Sequence, residues 1–165
     1  MIFDREGMSA NIFDLEALEK LATMTELIRQ HKAKHLIIES AKPSIFIAGA
    51  DIKSLASASP SELEHLIQLG QDVFQAIETL PQRTVAVIHG ACVGGGYELA
   101  LACDFRVCSD SSKTSIGLPE TQLGILPAWG GSTRLPELIG LPKALPLILS
   151  GKLLKPKAAL KKGLV

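Results

Sequence analysis

One stretch of the sequence, residues 84–108, constrains the fold more than any other. It opens with an apolar, β-branched run over residues 84–88, which predicts a buried strand. Three glycines follow, then the helix-forming run YELALAC, then a second strand-like run over residues 105–108. Glu98 lies in the first turn of this otherwise apolar helix. Because an ionised carboxylate is costly to bury without a partner or a task, Glu98 is a candidate functional residue.

The rest of the chain alternates between strand-like and helix-like segments. Residues 35–40 and 45–47 are apolar and β-branched, which predicts two strands in succession. Asp14 precedes a run that predicts a helix to about residue 32, and the apolar residues on or near one face of that helix are Leu15, Leu18, Ala22, Leu27 and Ile28. Residues 59–62, Ser-Pro-Ser-Glu, have the pattern of a capped helix start. Strand pairs alternating with helices predict an α/β fold.

Composition excludes several classes of function. The chain has 165 residues, enough for one domain with a core, and 17 basic residues balance 17 acidic ones. A net charge of zero provides no long-range attraction for nucleic acid or an anionic membrane. No apolar run is long enough to span a bilayer, and the first residues do not resemble a secretory signal. The three cysteines form no CxxC pair, which favours a reducing compartment.

The first candidate motif is the small-residue loop Ala-Gly-Ala-Asp at residues 48–51. It follows a predicted strand, and small residues let a backbone approach a ligand with its N–H groups free. The alternative is an ordinary tight turn, which is favoured for this tetrapeptide alone.

The second candidate motif is Gly-Gly-Gly-Tyr-Glu at residues 94–98. A glycine turn that opens a helix presents unpaired amides at the positive end of the helix dipole, an arrangement that stabilises an oxyanion. The alternative is close packing of a helix on a strand. A dinucleotide-binding loop is excluded because Leu99 stands where a third small residue is needed, and a P-loop lacks its Gly-Lys-Ser/Thr.

The third candidate is Glu120, between Pro119 and an apolar loop. Such surroundings raise the pKa of a carboxyl group, although a solvent-facing helix cap is favoured if the residue is taken alone. His31 and His35 are four residues apart, but the predicted helix ends between them and no carboxylate completes a metal site. We therefore expect surface histidines and no metal.

Taken together and in order, three segments resemble the crotonase (enoyl-CoA hydratase/isomerase) family. They are IFIAGADIKSL, VIHGACVGGGYELALACDFRV and IGLPETQLGILPAWGGSTRLPELIG, and the resemblance runs from about residue 9 to residue 165. SANIFD and IGLPETQLGI are most similar to the hydratase portion of multifunctional fatty-acid oxidation α-subunits. Those proteins carry an NAD-dependent 3-hydroxyacyl-CoA dehydrogenase after the hydratase, and no such segment is present here.

The resemblance implies a crotonase-like spiral of ββα units. Residues 1–165 are expected to form a single domain that lacks the family's C-terminal helices and part of its first strand. By the same resemblance, the amides of Ala50 and Gly95 form the oxyanion hole, and Glu98 and Glu120 are the catalytic carboxylates. The resemblance also implies contacts of the substrate with Ala48, Gly49, Asp51, Ile52, Gly94, Pro119 and Trp129. Tyr97 and the pair Ala128-Trp129 depart from the common pattern, and the pair is expected to shape the acyl pocket.

The implied activity is hydration of trans-2-enoyl-CoA to 3-hydroxyacyl-CoA in β-oxidation, with Δ3-Δ2-enoyl-CoA isomerase activity left open. Coenzyme A enters as part of the substrate, and no metal or redox cofactor is expected. The implied partners are copies of the chain or, in a longer parent, a thiolase subunit, in the bacterial cytoplasm or the mitochondrial matrix. Two alternatives stay open: another crotonase-fold reaction such as hydrolysis or decarboxylation, and a truncated, inactive piece that binds coenzyme A or serves in assembly.

Overall fold

A computed structural model describes residues 1–165 and contains seven strands and seven α-helices. The strands are β1 Ile2–Phe3, β2 His35–Ser40, β3 Ile45–Ile47, β4 Arg83–Ile88, β5 Ala91–Val93, β6 Phe105–Cys108 and β7 Ser115–Gly117. The helices are α1 Leu15–Gln30, α2 Ile52–Ser57, α3 Pro60–Glu78, α4 Gly95–Leu101, α5 Gly131–Ile139, α6 Leu141–Ser150 and α7 Pro156–Lys162. A single 3-10 turn spans Glu120–Leu123.

The strands form two parallel sheets. One sheet has the order β1-β2-β4-β6 and the other the order β3-β5-β7. The two strands of each consecutive pair enter different sheets, and helical segments lead from one pair to the next. This is a spiral of ββα units, so the predicted fold class is confirmed. None of the helices is both long enough and apolar enough to cross a membrane.

The predicted helix starts are confirmed by their hydrogen bonds. The Asp14 carboxylate accepts from the amide of Ala17 at 2.9 Å and caps α1. At the start of α3 the amide of Ser59 donates to the Glu62 carboxylate at 2.8 Å, and the Ser59 hydroxyl caps the helix in return. These bonds satisfy amides that a helix leaves free at its first turn.

The predicted buried face of α1 is partly wrong. Leu18, Leu21 and Thr25 are buried, whereas Leu15 is 42% and Leu27 57% exposed. The buried residues recur at intervals of three and four, which is the stripe that α1 turns toward α3. Leu15 and Leu27 lie beside this stripe. The hydrophobicity of the side chains alone does not show which of them face α3.

The residue pattern alone predicts neither β1 nor β5, although the family resemblance implies a remaining part of a first strand where β1 lies. β1 has only two residues, and β5, Ala91–Val93, lies between glycines in what the sequence shows as a turn. Gly90 leads into β5 with φ +62°, and a Cβ there would lie 1.9 Å from the carbonyl oxygen of Ser44. The chain therefore crosses from one sheet to the other at a place where only glycine fits. β5 is the central strand of the smaller sheet, and it delivers the chain directly to α4.

Candidate active site

Helix α4 places Glu98 in the interior. All seven residues of the helix are buried, and its cap, Gly94, has φ 56° and ψ −130°. A Cβ on Gly95 would lie 2.5 Å from Cζ3 of Trp129, and one on Gly96 would lie 2.3 Å from the carbonyl oxygen of Ile47. The glycines therefore allow backbone-level packing against β3 and the indole ring. The packing interpretation of the motif is confirmed, and the amide role of Gly95 stays a prediction.

The Glu98 carboxylate is held by two backbone amides. Its Oε1 atom accepts from the N–H of Trp129 at 2.9 Å and from the N–H of Gly131 at 2.8 Å. Oε2 receives no hydrogen bond from the chain, so one oxygen is anchored and the other is free to meet a ligand.

Burial sets the acidity of this group. Glu98 is 2% exposed, and desolvation raises its pKa to about 7, with repulsion from Glu120 acting in the same direction. The amides of Gly131 and Trp129 and the charge of Arg134 oppose this rise. A pKa near 7 allows a carboxyl group to take up and release a proton at neutral pH.

Glu120 is the second buried carboxyl group. It is the first residue of the 3-10 turn and is 8% exposed, and its Oε2 atom is buried without any hydrogen-bond partner. Desolvation raises its pKa as well. Its Oε1 atom lies 3.3 Å from the position that a Cβ on Gly94 would take. The fold therefore brings Glu120 against the glycine turn that opens the helix of Glu98.

The loop at residues 48–51 lies beside the same turn. The amide of Ala48 donates to the carbonyl of Asn11 and that of Asp51 to the carbonyl of Phe13, each at 2.9 Å. The intervening amide of Ala50 makes no hydrogen bond within the chain. A Cβ on Gly49, which has φ +96°, would lie 3.4 Å from the amide nitrogen of Gly95. A free N–H therefore stands next to the N-terminal end of α4.

The remaining predicted contact residues occupy different kinds of position. The Asp51 carboxylate caps α2 and accepts from the hydroxyl of Ser54 at 2.6 Å, which lowers its pKa. Ile52 is 48% exposed, and Pro119 is half-buried directly before the 3-10 turn.

The Trp129 ring lies beneath the site and not on its surface. It is 3% exposed and packs edge-on against Phe13 and Phe74, with ring centroids 5.8 and 5.7 Å away. The part of this residue that reaches the site is its backbone N–H, which binds Glu98.

Sequence reasoning missed the residues that hold Glu98 in place. In the sequence, nothing links residues 127–131 to a carboxylate some 30 positions earlier. A Cβ on Gly131 would lie 2.9 Å from Cγ of Glu98, so glycine is needed there for the carboxylate to fit. Arg134, 9% exposed, was not identified either, because a single arginine in the sequence carries no distinguishing signal.

One cavity of the molecule lies apart from this site. It has a volume of about 850 Å³ and lies at the N-terminal end of the chain, between residues 1–8 and α1. None of the predicted site residues lines it. The candidate site is therefore defined by its buried carboxyl groups and free amide, and not by the size of its opening.

Comparison with known proteins places this geometry in a family. A family model described as enoyl-CoA hydratase/isomerase matches residues 3–165. The fatty acid oxidation complex subunit alpha of Aliivibrio fischeri is 55% identical over 168 residues, covering 100% of this chain and 24% of that protein. The subunit of the same name from Shewanella amazonensis is 51% identical and also covers 100% of this chain. The chain thus spans about a quarter of the length of these curated relatives.

Solved structures support the same family. The enoyl-CoA hydratase of Bacillus anthracis superimposes with a TM-score of 0.93 at 38% identity, covering 99% of this chain and 63% of that one. A Geobacillus kaustophilus structure described by the same activity gives a TM-score of 0.92, also at 38% identity, covering 96% of this chain and 60% of that one. The chain belongs to the enoyl-CoA hydratase/isomerase family, the crotonase family that its motifs resemble.

Proposed function

We propose that this chain is the hydratase part of a longer fatty-acid oxidation protein and that it adds water to trans-2-enoyl-CoA. The observation that carries the proposal is the pairing of Glu98 and Glu120. Both are buried and neither has a cationic side chain bonded to it. Two carboxyl groups in such surroundings are costly to the fold, which favours a catalytic use for them.

As the oxygen of water adds to the β-carbon, negative charge develops on the thioester oxygen. Donors from two separate segments, the free amide of Ala50 and the helix-opening amide of Gly95, are proposed to meet that charge. The geometry that supports this role is the position of Gly49, the neighbour of Ala50, beside the amide nitrogen of Gly95. Removing a donor of this kind lowers turnover by roughly 10²–10³-fold in other enzymes.

The two carboxyl groups are proposed to share one proton. Glu98, ionised, takes a proton from water through its free Oε2 while the water oxygen bonds to the β-carbon. The π electrons of the double bond move to the α-carbon and thioester, and Glu120, protonated, delivers its proton to the α-carbon. Repulsion between the two groups opposes ionisation of both at once, so it favours a pair that carries one proton.

An assay with crotonyl-CoA tests the proposal and its alternatives together. We expect loss of the conjugated double bond and formation of 3-hydroxybutyryl-CoA, abolished in a Glu98→Gln, Glu120→Gln double variant. Release of free coenzyme A would instead identify a hydrolase. Binding of crotonyl-CoA without any turnover would identify a CoA-binding or assembly piece. The absence of both binding and turnover would refute the proposal.

Further properties of the whole protein rest on its relatives. We propose that residues 1–165 form one catalytic domain and that the longer protein assembles as a homo-oligomer or with a thiolase subunit. The support is the name of the relatives, which are alpha subunits of a fatty acid oxidation complex, and the quarter of their length that this chain covers. The relatives are bacterial, which favours the cytoplasm, and the proposed reaction requires no cofactor besides the coenzyme A of its substrate.

A further inference from the structure

The turn over residues 128–131 has two faces with different bonding partners. Its inward amides, those of Trp129 and Gly131, bind Oε1 of Glu98. Its outward carbonyls bind side chains that come from helices: Ala128 accepts from Nε2 of Gln71 at 2.8 Å, and Trp129 accepts from Nη1 of Arg134 at 2.9 Å. The turn therefore connects these outer side chains to the buried carboxylate.

A single peptide plane makes one of these connections. The carbonyl of Ala128 and the N–H of Trp129 belong to the same planar, rigid peptide group. Gln71 therefore holds one end of that group and Glu98 the other. Hydrogen bonds in such a chain polarise one another, so a bond at the outer end strengthens the bond at the inner end.

The Arg134 guanidinium holds the neighbouring peptide. Its Nε and Nη2 atoms both donate to Oε2 of Glu78, at 3.0 and 2.7 Å, so the group is anchored at the end of α3. Nη1 is left to bind Trp129, and it lies 1.9 Å from the position that a Cβ on Gly130 would occupy. The guanidinium fits into the space that the glycine leaves, and its planar fork fixes the direction of each bond.

We propose that Arg134, clamped by Glu78, is a positioning residue that fixes the turn binding Glu98 and so aims the free oxygen of Glu98 at the substrate. The assignment of a substrate rests on the proposed function, whereas the effect on Glu98 does not. Loss of the clamp lets the Trp129 carbonyl turn away and loosens the two amides that bind the carboxylate. Because those amides stabilise its ionised form, loosening them makes Glu98 harder to ionise.

Carboxyl NMR on the 165-residue chain, with carbon-13-labelled glutamate, tests the effect on Glu98 without any reaction. We expect Arg134→Gln to move the Glu98 titration midpoint upward by about one pH unit, a tenfold change. Arg134→Lys keeps the charge but loses the planar fork, so we expect a similar shift. Glu78→Gln leaves the buried Arg134 bound to Trp129 and weakens only its partly exposed anchor, so the midpoint should shift in the same direction by a smaller amount.

Arg83→Gln provides the matched control. Arg83 forms an exposed ion pair with Asp104 at 3.1 Å, on the four-stranded sheet, and its loss should leave the Glu98 midpoint unchanged. An unchanged midpoint in both Arg134→Gln and Glu78→Gln would overturn the proposal. Full restoration by Arg134→Lys would also overturn it, because charge alone would then account for the effect.

The second readout is turnover of crotonyl-CoA. A positioning role predicts that Arg134→Gln lowers kcat about tenfold while KM stays within about threefold of the unmodified chain. A midpoint shift in a chain that does not hydrate crotonyl-CoA would support the positioning role and refute the proposed function. Normal turnover with an unmoved midpoint would support the function and overturn the positioning role.

Discussion

Replacing Glu98 by glutamine should stabilise the fold while abolishing hydration. The ordinary pKa of a glutamate carboxyl group is 4.5, and burial raises that of Glu98 to about 7. Since a tenfold change in an equilibrium constant corresponds to about 1.4 kcal/mol, the ionised carboxylate destabilises the folded chain by about 3 kcal/mol. Glutamine has nearly the same shape, keeps an oxygen for the amides of Trp129 and Gly131, and carries no charge.

The effect has a definite pH dependence. Below pH 4.5 the Glu98 carboxyl is protonated in both the folded and the unfolded chain, and no charge is buried. Between pH 4.5 and about 7 the unfolded chain ionises first, so the free energy of unfolding falls as pH rises. Above that window the full penalty is present. We therefore expect Glu98→Gln to match the unmodified chain near pH 4.5 and to exceed its stability by up to about 3 kcal/mol near pH 8.

Urea unfolding followed by circular dichroism at the two pH values measures this difference. Glu64→Gln removes a charge from an exposed site of α3 and is the control, with no pH-dependent gain expected. The same Glu98→Gln preparation should hydrate crotonyl-CoA at least about 10²-fold more slowly. If Glu98→Gln and the unmodified chain differed in stability by the same amount at both pH values, ionisation of Glu98 would not destabilise the fold, and the argument would be refuted.

Three further outcomes are expected. Glu120→Gln should lower hydration by about 10²-fold or more while crotonyl-CoA still binds, and a near-normal rate would contradict its assigned role. Gly95→Ala should destabilise by about 1–3 kcal/mol because Trp129 fills the space of its methyl group. In a Trp129→Ala background the same change should be less destabilising, and an equal effect in a urea-unfolding cycle would show that the ring is not the obstacle. Ser59→Ala should lower stability by about 1 kcal/mol through loss of the α3 cap, to be checked by thermal unfolding against Ser57→Ala, outside any cap.

The sequence by itself determined the features that depend on near neighbours. The Ser59 capping box forms as predicted because its bonds join residues three apart. The bounds of β2, β3 and β6 agree with those predicted, since each is a short apolar run that ends at a clear change of pattern. The ordered motifs also identified the family, because each motif keeps its local chemistry wherever the chain folds.

The tertiary structure decided what joins distant segments. β5 forms because it pairs with β3 and β7. Its three residues lie between glycines and are too few to predict a strand by themselves. The amides that bind Glu98 lie 31 and 33 residues away from it in sequence. Arg134, which donates to the carbonyl of Trp129 in the same turn, is anchored by Glu78, 56 residues away in the chain. No local pattern encodes such pairings, because their energy comes from burial and bonding that exist only once the two sheets and α3 have packed around α4.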